Sequence, residues 1–162
     1  MNRLRVMLMS VAVAATPVAT ARAQRVDTAA TSVIATIDSA LRVISRSDFA
    51  SLATMMLPEA TMFAVQHADS VRRYSATAQS VVATTKITSV FLERGFAHDV
   101  KVSGPLAVAW VPYDFYRDGK WSHCGIDVFT LLRVNGRWMI ASLAYTTAQP
   151  PVCRPHPDKP VG

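Results

Sequence analysis

Apolar positions change their period along the chain. Ala30, Val33, Ile34, Ile37, Leu41 and Ile44 recur at helical spacing after Asp27-Thr28 and predict one amphipathic helix. A break at Ser45 to Ser47 follows. Phe49, Leu52, Met55 and Met56 predict a second, shorter helix, capped by Ser47 or Asp48 and ended by Leu57-Pro58. The methionines read as core filler. Ala60 to Val65 is a strand candidate, Gln66 to Tyr74 a loop, and Ser75 to Thr85 a third helix or helical turn, capped by Ser75 and carrying Ala78, Val81 and Val82. Ile87 to Leu92 and Phe96 to Val102 read as strand material interrupted at Glu93-Arg94-Gly95, and Ser103-Gly104-Pro105 turns the chain.

From Leu106 to Thr147 the pattern becomes that of antiparallel strands. Asp118-Gly119 and Asn135-Gly136 each separate runs rich in Val, Ile, Tyr, Phe and Trp, a strong hairpin signal. Two-residue loops would pair Arg117 with Lys120 and Val134 with Arg137. Counting back sets Asp114 opposite His123, Trp110 opposite Asp127, Asp127 opposite Ala144 and Phe129 opposite Ser142. One predicted face then carries Trp110, Asp114, His123, Asp127, Phe129, Trp138 and Ser142. The other carries Val111, Ile126, Val128, Leu143 and Tyr145, with no charge. Pro112, which lacks a ladder donor, is a candidate for a bulge or an edge.

A carboxylate among tryptophans is costly to bury unless it is hydrogen-bonded or used. Asp127 is therefore either a strut that locks the sheet to its cover or a polar group in a ligand pocket.

Elements in this order predict an α+β domain with helices segregated to one sheet face. The uncharged face is left uncovered, and a sheet-on-sheet homodimer is the simplest way to bury it, with a monomer covered by the tail as the alternative.

The amino terminus reads as an export signal over residues 1–23. Arg3 and Arg5 precede an apolar run from Val6 to Ala15, and Ala21-Arg22-Ala23 is a cleavage site before Gln24. The run is too short, and broken by Pro17, for a spanning helix, so no membrane association is expected after its removal. The mature chain of 139 residues is a single domain over residues 24–148 with a Pro-rich tail over 149–162. The chain holds 17 Lys and Arg against 11 Asp and Glu; losing Arg3, Arg5 and Arg22 leaves 14 against 11. No basic run is interleaved with aromatics, which argues against nucleic-acid binding.

Two cysteines in an exported domain point first to a disulfide, and a Cys124–Cys153 bridge would pin the tail. A Cys124–His123 nucleophile pair is disfavoured because strand neighbours point to opposite faces. His67, His98 and His156 show no metal spacing, and neither metal nor cofactor is expected.

The lead-in Leu57-Pro58-Glu59-Ala60-Thr61, the segments Ala109-Trp110-Val111-Pro112-Tyr113 and His123-Cys124-Gly125-Ile126-Asp127-Val128-Phe129, and the closing Gly136-Arg137-Trp138-Met139-Ile140-Ala141-Ser142-Leu143 resemble the superfamily named after nuclear transport factor two. The small exported bacterial members, related to SnoaL-like polyketide cyclases and the lumazine-binding-like group, are most similar. The resemblance implies a cone-shaped barrel made by a curved antiparallel sheet with N-terminal helices on one face. It does not imply one function, since the superfamily includes isomerases, dehydratases, cyclases, binding modules and dimerisation domains. Two readings follow. One is an exported binding or dimerisation protein for a small apolar or aromatic molecule, in a periplasmic or secreted location. The other is a cofactor-independent isomerase, dehydratase or cyclase with His123 as general base or acid, oriented by Asp114 or Asp127, in a pocket shaped by Trp110, Phe129, Trp138 and Ser142.

Overall fold

The structure, a computed structural model, describes residues 18–66 and 74–158. Most of the predicted leader, most of the predicted loop at 66–74 and the end of the tail lie outside the described residues. Helix α1, Val18–Ser45, begins upstream of the expected Asp27-Thr28 start; of the expected stripe it buries Val33, Ile37, Leu41 and Ile44, leaves Ala30 and Ile34 half-buried, and adds Ala40. The carboxylate of Asp48 caps α2, Phe49–Thr54, by accepting from the Ser51 N–H at 3.0 Å.

Pro58 does not end this helix. It stops at Thr54, because Met56 already pairs with Ile140 and the Ile140 N–H donates to the Met55 carbonyl at 2.8 Å. Strand β1, Met56–Gln66, then runs parallel to the last strand, with its register shifted between Met56 and Thr61. Pro58 falls in that irregular stretch, where a missing N–H interrupts nothing.

Of the expected third helix only the middle turn is helical, and its first residues are strand. Tyr74–Ala78 forms β2 against β1, and only Gln79–Val82 is helical, as α3. Pairing with β1 overrides the helix preference of an Ala-rich segment. Beyond it lie β3, Phe91–Gly95; β4, Asp99–Ser103; β5, Leu106–Arg117; β6, Lys120–Val134; and β7, Arg137–Thr147. Glu93-Arg94-Gly95 lies inside β3. The interruption comes at Phe96 to His98, where Ala97 has φ 47° and the Phe96 N–H donates to the carbonyl of Pro112.

The sheet order is β2-β1-β7-β6-β5-β3, with β4 also on β5, and every pairing except β1 with β7 is antiparallel. It is a curved, unclosed α+β sheet with the N-terminal helix packed on its inner face.

Both hairpins turn where expected, with Arg117 opposite Lys120 and Val134 opposite Arg137. Asp118, Gly119, Asn135 and Gly136 all have φ between 50° and 80°, the signature of a turn matched to strand twist. The predicted register then slips by one residue, twice. Tyr116 pairs with Trp121 but Phe115 pairs with His123, which leaves Ser122 over; Leu131 pairs with Ile140 but Thr130 pairs with Ser142, which leaves Ala141 over. Asp114 therefore faces Cys124, Trp110 faces Val128, Asp127 sits between Val111 and Tyr145, and Phe129 meets Leu143. Each slip moves a run of side chains to the other face. The inner face combines Val111, Tyr113 and Phe115 of β5 with His123, Asp127 and Phe129 of β6, and with Leu143 and Tyr145 of β7.

The C-terminal tail is pinned across the outer face at two points. Cys124 and Cys153 form a disulfide whose Cα atoms are 5.7 Å apart. At 29 residues' separation, such a cross-link is worth about 3–4 kcal/mol through the unfolded state. Asp114, fully buried, accepts a bidentate pair from Arg94 at 3.0 and 2.5 Å and a third bond from the His156 N–H at 3.0 Å. Arg94 also donates to the Asp158 carbonyl. Among the described residues, no helix is long and apolar enough to cross a membrane.

Candidate functional site

Between the inner sheet face and the helices lies a cavity of about 320 Å³. Strand β5 supplies Tyr113, Phe115 and Arg117, β6 His123 and Asp127, β7 Leu143 and Tyr145, β3 Phe91 and Glu93, and β1 Met62 and Ala64. Ile44, Phe49, Val82, Thr85 and Ile87 close it from the helical side.

Gly125, between the two polar residues of β6, leaves room for a side chain to cross the strand. A Cβ there would come within 1.9 Å of the Thr146 carbonyl oxygen and 2.9 Å of Tyr113 Cε1. With no side chain in the way, Tyr113 lies across the strand, and its hydroxyl donates to that same carbonyl at 2.8 Å. The His123 imidazole stacks on Phe115, with centroids 4.9 Å apart and planes 20° from parallel, and meets Tyr113 edge to face. Its Nδ1 is 3.0 Å from Oγ of Ser122, so the extra residue of the bulge also orients the ring. Burial, and then the nearby Arg117 charge, lower the pKa of His123, so the ring is neutral at pH 7.

Asp127 has 1% of its surface exposed, and its Oδ2 has no hydrogen-bond partner. Burial first, and the neighbouring Glu93 second, raise its pKa well above the usual carboxylate range. Burial pushes Glu93 up to about 8. The two carboxyls also raise the Tyr113 and Tyr145 hydroxyls, after burial. At neutral pH this is a site of held protons beside one free base.

The empty protein should therefore lose stability as pH rises. An unfolded Glu gives up its proton near pH 4.5, whereas folded Glu93 keeps it to about 8, so the stabilisation is full below 4.5 and is lost across that window. His123 acts oppositely below about pH 6.5, which leaves the slope clearest from there to 8. Thermal melts across that range should show a falling Tm, and Glu93→Gln should flatten it; a flat wild-type profile would contradict the buried acids.

His123 and Asp127 thus share the cavity. Phe129 is on the same face but fully buried in the core, outside the lining. Trp138 is also core, its indole donating to Ser32 Oγ at 2.9 Å. Trp110, Asp114 and Ser142 lie on the outer face, turned there by the two bulges: Trp110 is 54% exposed, and Asp114 anchors the tail. Glu93, Tyr113 and Tyr145 were not anticipated. The alternation of Phe91 with Glu93, placing an acid on an apolar strand face, was the available signal for the first. Among the described residues no cluster of His, Cys, Asp and Glu could hold a metal ion.

No protein-family model matches the sequence, and no curated protein does. Solved structures do match. An NTF2-like protein with a cystatin-like fold from Novosphingobium aromaticivorans superposes with a TM-score of 0.61 at 11% identity, over 82% of this chain and 88% of that one. The β subunit of a candidate aromatic-ring-hydroxylating dioxygenase from the same organism gives 0.64 at 11% identity, over 76% and 92%. A candidate dehydratase of the NTF2-like family from Streptomyces avermitilis gives 0.57 at 14% identity, over 75% and 97%. At these identities the likeness is one of fold: the chain has the NTF2-like cone fold.

Proposed function

We propose that the chain is an exported protein that binds a small apolar or aromatic molecule in the inner cavity, with Asp127 and His123 as its polar anchors. The observation that carries this reading is the unpartnered Oδ2 of a fully buried aspartate on the cavity wall. An unsatisfied buried carboxyl costs about 1–3 kcal/mol, a cost a bound ligand's polar group would remove. The cavity's size and largely apolar lining are those of small-ligand sites. Asp127→Asn should weaken binding of small aromatic ligands by about tenfold while leaving the melting temperature nearly unchanged. A large stability loss with no ligand found in a broad screen would make Asp127 a strut and end the proposal.

Acid–base catalysis is the second reading, favoured by a neutral imidazole and a proton-holding carboxyl in one cavity. His123 would take a proton and Asp127 or Glu93 donate one, as an isomerase, dehydratase or cyclase requires without a cofactor, and such a pair contributes roughly 10²–10⁴-fold. A dehydratase description among the similar structures agrees with it. His123→Ala then lowers turnover by roughly 10²–10⁴-fold, far more than it weakens binding.

Export is supported by the leader-like residues 1–23 and by the Cys124–Cys153 bridge, which needs an oxidising compartment to persist. The proposed partner is a second copy through the outer sheet face. There Val108 and Trp110 are exposed beside half-buried Ile126 and Val128, whereas Val111 and Leu143, expected on that surface, are core. Ile126→Lys should give monomers by light scattering; a monomeric wild type at micromolar concentration would rule the dimer out.

A further inference from the structure

Two acids face one aromatic cavity without a countercharge. The described ion pairs are Arg94–Asp114, His98–Asp38, Lys101–Asp99 and His156–Asp158, and neither Asp127 nor Glu93 takes part in any of them. Of the basic groups on the lining, Arg117 is exposed with its guanidinium 5.3 Å from the Phe91 ring centroid, and His123 stacks on Phe115. From the helical side come only Ile44, Phe49, Val82, Thr85 and Ile87, none of which is charged.

We infer that the ligand of this cavity carries a cationic amine, with its ammonium between Asp127 and Glu93 and its apolar body against Tyr113, Phe115 and Tyr145. The inference rests on the small-molecule reading above and narrows it to a ligand class. An ammonium supplies up to three donors, so it can satisfy the open Oδ2 of Asp127 and reach the second acid together. The faces of Tyr and Phe rings attract the same charge. A hydroxyl has a single donor and brings no countercharge. A ligand carboxylate would meet two acids with its own sign.

Proton traffic follows from the geometry. Without ligand, burial keeps Glu93 protonated at neutral pH and favours the protonated form of Asp127 beside it, and the tyrosine hydroxyls stay neutral. When the ammonium enters, one carboxylic acid gives its proton to solvent and the resulting carboxylate pairs with the cation, so charge and atoms balance. Affinity therefore rises with pH towards about 8, the value to which Glu93 is pushed, and proton release fades above it. Arg117 opposes the incoming charge, and His123, neutral at pH 7, does not.

The test is calorimetric titration of the full chain with 2-phenylethylamine and with 2-phenylethanol, in buffers of different protonation heat, at about pH 6 to 8. The amine should bind at least about tenfold more tightly than the alcohol and release about one proton at pH 7. Glu93→Gln should weaken the amine by about tenfold and spare the alcohol, Asp127→Asn should weaken the amine by clearly more than the alcohol, and Arg117→Gln should leave amine affinity equal or higher. Should either acid variant fail to fold, the proton count and the amine-to-alcohol ratio of the wild type decide. Alcohol bound as tightly as amine, without proton release, overturns the amine and leaves the binding reading standing. Binding of neither removes both.

Discussion

Asp114→Ala should cost about 3–5 kcal/mol of stability, because it strips the partner from a cation that cannot reach water freely. Arg94 has only 16% of its side chain exposed and spends two donors on that carboxylate. The same change frees the His156 N–H, so residues near 154–158 should become sensitive to limited proteolysis. Replacing both members of the pair with apolar residues of similar volume should recover much of the loss, since the penalty lies in the orphaned charge. Urea melts of the single and double variants check this. If Asp114 were a ligand group instead, the single change would leave stability untouched.

Gly125→Ala is expected to be as severe by a different route. Ordinary overpacking costs about 1–3 kcal/mol because side chains can give way. Here the nearest obstacle, at 1.9 Å, is a backbone carbonyl already held by the Tyr113 hydroxyl. To fit a methyl, β6 and β7 must separate at the floor of the cavity, which breaks the Tyr113 bond and moves His123 and Asp127 with the strand. The variant should lose more than the ordinary range, and should bind no cavity ligand at temperatures where it is still folded. Circular dichroism melts and ligand titration on one preparation measure both. Near-wild-type behaviour would mean that the strands are not packed as described.

What the sequence made legible divides by how local the determinant is. Asp118-Gly119 and Asn135-Gly136 specify their own turn geometry, so the pairs beside them, Arg117 with Lys120 and Val134 with Arg137, were readable. The buried stripe of α1 was readable from its period. Bulges at Ser122 and Ala141 were not, because one extra residue in a strand changes no composition and leaves the alternation looking intact on either side. Their effect is large all the same, since Trp110 and Asp114 left the site and Tyr113 and Tyr145 entered it. Pro112 was the suspect position, yet it pairs with Ile126, and the interruption lies in the neighbouring edge strand at Phe96. Asp127 and His123 stayed together because both sit on one strand with no bulge between them. Glu93 was hidden by its neighbours: Arg94-Gly95 looks like a break until β5 offers the ladder that makes it a strand.

Among the described strands the one parallel pairing also sets an order of events. Strand β1 lies between β2 and β7, so an early segment of the chain can complete its ladder only with Arg137–Thr147, some eighty residues later. A polypeptide emerging amino terminus first, from a ribosome or through a membrane, holds β1 and β2 as an orphan hairpin until the last strand appears. Long-range closure of this kind is slow, and the apolar residues Met62, Phe63 and Val65 stay unsheltered meanwhile. Until that last strand arrives, those residues are expected to be the part of the chain most open to aggregation.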